Sequence, residues 1–173
     1  DDGVNIKAKY SNVPPDGAVS IRRNYGDDAR SEVILDNAGN IVLASCTQSA
    51  GFPVTGGTVL QNTFGGGLQD GVILKFNAAL SAIQFSTFFG GNGDDACFVA
   101  SQNPLTGNYY LAGGTTSTNL PGDTTGVMTP TYRGGVCDGF VTEILNNGSA
   151  IIKTTYQGTS GNDLVYGLKF DQF

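Results

Sequence analysis

Two adjacent carboxylates, Asp94 and Asp95, stand in FGGNGDDACF (89–98), a glycine-rich run with Cys97 two residues beyond. Acids among glycine carbonyls could gather the roughly six to eight oxygens that calcium takes. Paired acids could also act as acid and base in glycoside cleavage. The same letters recur elsewhere, in NYGDDAR (24–30) and YQGTSGNDLVYG (156–167), so Asp27/Asp28, Asp94/Asp95 and Asn162/Asp163 are equivalent positions. The first position accepts Asn, so a role that needs charge there is disfavoured. The second is always Asp. An Asp at a turn leading into an inner strand can accept backbone N–H bonds and fix the strand entrance. That structural role is the preferred reading. Calcium held by Asp27, Asp28, Asp94, Asp95 and Asp163 is the lesser one, and no EF-hand spacing accompanies them. Gly26, Gly93 and Gly161 read as turn residues of the same element, and Asp70 and Asp138, each before a Gly, as residues that start a strand.

Such residues need a scaffold, and the composition points to strands and turns. The chain has 173 residues, 26 of them Gly, with 39% hydrophobic and 14% charged residues. That is enough for a sizeable core and too apolar for a disordered tail. No run approaches the roughly 20 apolar residues of a membrane helix, and no leader is visible at the start, DDGVNIKAKY. The net charge of −6 argues against nucleic acid, which calls for clustered Lys and Arg. The sequence has no His, which removes His-dependent triads and His metal ligands. Cys46, Cys97 and Cys137 have no C-x-x-C spacing. They read as buried small hydrophobes, or, in an exported protein, as one disulfide of undetermined pairing plus a free thiol.

Sliding the chain by 68 residues superimposes one segment on the next. Asn40 falls on Asn108, Thr47 on Thr115, Pro53 on Pro121, Asp70 on Asp138, and Ser81-Ala82-Ile83 on Ser149-Ala150-Ile151. One residue of slack is needed before Asn40, because Gly26 and Gly93 are 67 apart. Each unit carries four strand-like runs: 31–36, 40–46, 72–77 and 82–89, then 97–101, 108–114, 140–146 and 150–157. Asp36–Asn40 and Asn146–Gly148 read as hairpin turns, and no helical period is present. Between the second and third runs lie long Gly/Thr/Ser-rich loops (46–69 and 114–137), expected to protrude. Their recurrence suggests packing roles for Phe52/Leu120 and Phe64/Tyr132.

Four antiparallel strands in tandem fit blades of a β-propeller, with a duplicated β-sandwich as the runner-up. The expected division is the end of a preceding blade at 1–25, where AVSIRRNY (18–25) matches AIQFSTFF. Blades follow at 26–92 and 93–160, and the start of a further one at 161–173. That is about two and a half blades, an incomplete arc whose open strand edges call for flanking blades or a partner protein.

The motifs FFGGNGDD (88–95), DNAGNIVLASCTQSAGFP (36–53), FGGGLQDGVILKFN (64–77) and CDGFVTEILNNGSA (137–150) resemble the SBBP repeat, a β-propeller repeat of large secreted bacterial proteins, often from Bacteroidota. The resemblance covers about residues 18–173. It departs at QNPLTGN in the second unit and at the double Gly missing before Gly26. It implies an exported, surface-associated protein with no catalytic residue to carry over. The expected function is therefore a non-catalytic extracellular module acting in adhesion, binding or spacing, without a cofactor. One alternative is a carbohydrate-binding or glycan-processing propeller that offers Phe64, Tyr109, Tyr110 and Tyr132 to a surface glycan, although inter-blade core is the plainer role for these rings. The other is a secretion-system cargo or assembly subunit. Asp123-Thr124-Thr125 resembles the Asp-Thr acceptor of O-glycosylation in Bacteroidota, which marks Thr124.

Overall fold

A computed structural model describes residues 31–55 and 60–171. These residues are all-β, with eight strands in two four-stranded antiparallel sheets and no helix among them. The first sheet runs in chain order: β1 (Glu32–Leu35), β2 (Ile41–Thr47), β3 (Asp70–Phe76) and β4 (Ile83–Phe89). The second repeats that order with β5 (Asp95–Gln102), β6 (Tyr109–Thr115), β7 (Asp138–Ile144) and β8 (Ile151–Gln157). The lead-in at 1–25, together with Gly26, Asp27 and Asp28, lies outside the described residues.

The two sheets share one register. Ile41 pairs with Phe76 and Tyr109 with Ile144, and Gly71 pairs with Phe89 and Gly139 with Gln157. Even the irregularity before the β3–β4 hairpin, at Lys75/Phe76, recurs at Glu143/Ile144. The single-residue slack has a location. Ala44 pairs with Glu32, whereas its counterpart Ala112 pairs with Val99, so the first strands are offset by 67 and the second by 68. The extra residue therefore sits in the longer turn at 103–108, which replaces the five-residue turn at 36–40. Gly39 and Gly148, at φ +77° and +71°, take the left-handed conformation that closes their hairpins.

Alternation assigns the faces. In β2 the buried Val42 and Ala44 point one way and the half-buried Ile41 and Leu43 the other. The largest core cluster lies between the sheets. Val42, Ala44, Ile73, Phe85 and Phe89 of the first sheet meet Tyr109, Leu111, Phe140, Ile144 and Tyr156 of the second. Phe89 stacks tilted on Phe140 with ring centroids 4.9 Å apart, and Phe85 meets Tyr109 at 6.3 Å.

Over their described residues the long loops do not protrude but fold back along the outer strands. Thr55 N–H donates to Ser86 O (3.3 Å) and Ser86 N–H returns the bond to Thr55 O (2.7 Å). Phe88 N–H donates to Gln61 O at 3.1 Å. In the second unit Thr154 N–H donates to Asp123 O and Tyr156 N–H to Thr129 O, the same contacts 68 residues on. Unpaired backbone groups of an edge strand are costly when covered and aggregation-prone when bare. Pairing them explains why these loops turn inward. Their apolar residues fill the cover: Phe52 and Phe64 pack on Phe88, Tyr132 on Tyr156, and Leu120 N–H donates to Tyr156 Oη at 3.0 Å.

Candidate functional site

The acids singled out by their recurrence converge where the glycine loops meet the strand starts. Asp95 is the first residue of β5, opposite Thr115, and is wholly buried. Its Oδ1 accepts the Thr115 hydroxyl at 2.5 Å. Its Oδ2 accepts the Ser117 hydroxyl and the Gly91 N–H, both at 2.8 Å. Asp94 Oδ1 accepts the Leu68 N–H at 2.6 Å. Asp70 opens β3, and its Oδ2 accepts the Gly65 N–H at 2.6 Å.

The second unit repeats this arrangement. Asp138 Oδ2 accepts the Arg133 N–H at 2.5 Å, Asp163 Oδ2 the Thr159 N–H at 2.7 Å, and Asn162 Oδ1 the Val136 N–H at 2.9 Å. An amide oxygen thus performs at 162 the task of the carboxylate at 94, which is why the first position tolerates Asn.

One feature exceeds turn-making. Asp70 Oδ1 and Asp138 Oδ1 are buried without a hydrogen-bond partner. Each lies against a glycine. A Cβ at Gly90 would come within 2.5 Å of Asp70 Oδ1 and 2.8 Å of Asp95 Oδ2, and one at Gly158 would overlap Asp138 Oδ1. Burial, with the neighbouring Asp94 charge adding to it, raises Asp70 to about 6 against the pull of the Gly65 and Gly66 N–H bonds. Burial raises Asp95 to about 7, against its Thr115, Gly91 and Ser117 bonds, and the Asp70 charge adds to the rise. Burial also raises Asp138. Asp70 and Asp95 can hold protons near neutrality, and all three carboxyls brace backbone. They are sealed from solvent, so no sugar or other substrate reaches them as they stand. Among the described residues no group of three or more acidic or Cys side chains is placed to hold a metal ion.

The aromatic residues separate. Tyr109 is wholly buried, with its hydroxyl on Asp36 Oδ2 at 3.0 Å. Tyr110 meets Phe170 edge-on at 4.9 Å, while Phe64 and Tyr132 are half-buried in the loop cover. The four rings do not form one platform. Thr124 is half-buried in a loop where Lys153 pairs with Asp123 and donates to Thr125 O at 2.7 Å. Gly93, against Thr116, and Gly161 sit at the equivalent loop corners.

A further cluster joins the two sheets and carried no sequence signal. Asp36 Oδ2 accepts from Lys75 Nζ at 2.8 Å as well as from Tyr109, and Lys75 Nζ lies 5.4 Å from the Tyr109 ring centroid. Asp36 reads in sequence only as a turn residue, and its partners across the seam, Lys75 and Tyr109, are 39 and 73 residues away. Burial acts to raise the Asp36 carboxyl, but bonds from Lys75, Asn40 and Tyr109 together hold it well below the usual carboxylate range. A cavity of about 320 Å³ opens beside Lys75 and Phe85. No protein-family model matches the chain, and no curated protein matches it.

Proposed function

We propose that this chain is a non-catalytic β-propeller repeat module of an exported surface protein, of the SBBP type, serving adhesion, binding or spacing. Its units are blades at 26–92 and 93–160, flanked by parts of neighbouring blades. The observation that carries the reading is the repetition of whole hydrogen-bond sets. The acids that recur along the chain are spent on backbone N–H groups at equivalent sites, 65–70 with 133–138 and 91–95 with 159–163. Residues spent on shaping a unit are not free for chemistry.

Stacking of successive units supports the blade arrangement. Residue 97 lies over Gly71 of the preceding sheet, and residue 165 over Gly139, in the same way. A sheet covered on both faces by its neighbours is the repeating element of a propeller. The Thr/Ser-rich loops suit a solvated exterior.

Protease shaving of intact source cells tests the location. Peptides from the loops at 48–69 and 116–137 are expected in the supernatant; protection until the cells are lysed sinks the surface assignment. A glycan array tests the alternative. Binding that Tyr132→Ala abolishes while circular dichroism stays unchanged replaces the spacer reading with a carbohydrate-binding one.

A further inference from the structure

Cys46, next to last in β2 of the first sheet, pairs directly across from Gly71 of β3. Opposed residues of an antiparallel pair project to the same face. On that face, a Cβ at Gly71 would sit 2.6 Å from Cys97 Sγ, a β5 thiol from the other sheet. Cys97 therefore crowds, from the other sheet, the glycine that Cys46 faces across the ladder.

The second unit calibrates the distance. Positions 46 and 97 correspond to Gly114 and Val165, and Val165 again sits over the matching glycine, Gly139, at 2.7 Å. There Val165 N–H donates to Gly113 O at 3.1 Å, so residue 165 runs beside the 113–114 peptide. Backbones bonded in this way lie about 5 Å apart, within the roughly 4.4–6.8 Å Cα separation that a disulfide spans. The unit lacking one cysteine also lacks the other. Cys137, by contrast, is buried with its Sγ 3.6 Å from Asp163 O, in a cluster on which Cys46 also packs, and it does not crowd Gly71 as Cys97 does.

We propose that Cys46 and Cys97, both free thiols in this structure, are a disulfide-forming pair that fastens the first sheet to the second. A small disulfide such as oxidised glutathione supplies the oxidant. The Cys46 thiolate, half-buried and the more accessible, attacks it, forms a mixed disulfide and releases one glutathione thiolate. The Cys97 thiolate then attacks Cys46 Sγ, closing the protein S–S bond and expelling the second glutathione. Two electrons pass to the oxidant, and the two protein protons leave on the two glutathiones. Burial raises Cys46 to about 11 and Cys97 well above its ordinary value. Exchange in the folded state is therefore slow, and the bond forms most readily during folding.

The chain is convenient to test. Trypsin cuts after Arg30, Lys75, Arg133 and Lys153, so each cysteine falls in a separate peptide. The reduced, unfolded full chain is refolded in a glutathione redox buffer, alkylated, digested and mapped by mass spectrometry. Peptide 31–75 is expected to be linked to 76–133, with Cys137 alkylated. Cys137→Ser is expected to keep the link, and Cys46→Ser and Cys97→Ser each to lose it. The oxidised chain is expected to need more urea to unfold than the reduced one. A link involving Cys137, or three alkylated thiols in a chain whose strand circular dichroism has returned, overturns the proposal. If refolding fails, the native chain is held with oxidised glutathione for days and mapped in the same way, and three unlinked thiols again overturn it.

Discussion

Lys75 Nζ donates to Asp36 Oδ2 at 2.8 Å, inside the seam where the two sheets meet. The Tyr109 hydroxyl of the opposite sheet donates to the same oxygen. With side chains only 12% and 3% exposed, the ions have little water to fall back on. Removing one partner leaves the other buried and uncompensated, which costs about 3 kcal/mol. Lys75→Met is therefore expected to lower the unfolding free energy from urea melts by that much, and Tyr109→Phe by about 1 kcal/mol. A double-mutant cycle should give a coupling above 0.5 kcal/mol, as expected of groups sharing one acceptor; simple additivity rules out the shared seam.

The buried acids set a pH dependence of unusual sign. Asp70 and Asp95 have folded-state values raised to about 6 and about 7, above an unfolded value near 4. The folded chain thus binds protons that the unfolded chain has already released. Their penalty is complete above pH 7 and is relieved as pH falls toward 4. Each bound proton contributes up to about 1.4 kcal/mol per pH unit in that window. Asp36, held low, acts oppositely: its contribution is present above pH 4 and lost in stronger acid. Urea melts are expected to show greater stability at pH 5 than at pH 8, and Asp95→Asn to flatten the difference. Equal midpoints at the two pH values contradict this account.

Much of this architecture was legible in the sequence, because period-2 apolar runs and glycine turns are local signals. The eight expected runs match the eight strands, with β3, β5 and β7 each beginning two residues early. The early residues Asp70, Asp95 and Asp138 are carboxylates, which read as turn formers. Here they are tied into the ladder by side-chain bonds to loop N–H groups, which period alone does not reveal. The inward fold of the loops was hidden for a similar reason. Thr55, Gln61, Asp123 and Thr129 bond through their backbones, so their side chains do not advertise the contact. The Asp36–Lys75–Tyr109 seam depends on which faces meet, and a repeat that swaps Lys75 for Glu143 gives no hint of it.

Close approach of backbones is a separate constraint. A Cβ at Gly113 of β6 would overlap the Ala96 carbonyl oxygen of the adjoining β5, a rigid backbone atom beside the irregularity at Cys97/Val99. Gly113→Ala is expected to cost about 3 kcal/mol or more, the upper range for overpacking. Gly167 has nothing within 4 Å of such a Cβ and no positive φ, so Gly167→Ala should stay within about 0.5 kcal/mol. Thermal melts of the two variants side by side make the comparison. Equal losses place the strain elsewhere.

Asp94 and Asn162 allow the structural reading of the opening motif to be tested with a substitution the chain already contains. Leu68 N–H donates to Asp94 Oδ1 at 2.6 Å, and Val136 N–H to Asn162 Oδ1 at 2.9 Å. If the oxygen matters and the charge does not, Asp94→Asn is expected within about 0.5 kcal/mol of the parent. Asp94→Ala strips the acceptor from a part-buried N–H and should cost about 1–2 kcal/mol. A carboxylate used for calcium gives the opposite pattern. Both variants would then lose an added-calcium increase in melting temperature, and the Asn variant would resemble the Ala variant. The order of three melting temperatures, measured with calcium and with chelator, therefore separates a brace from a ligand.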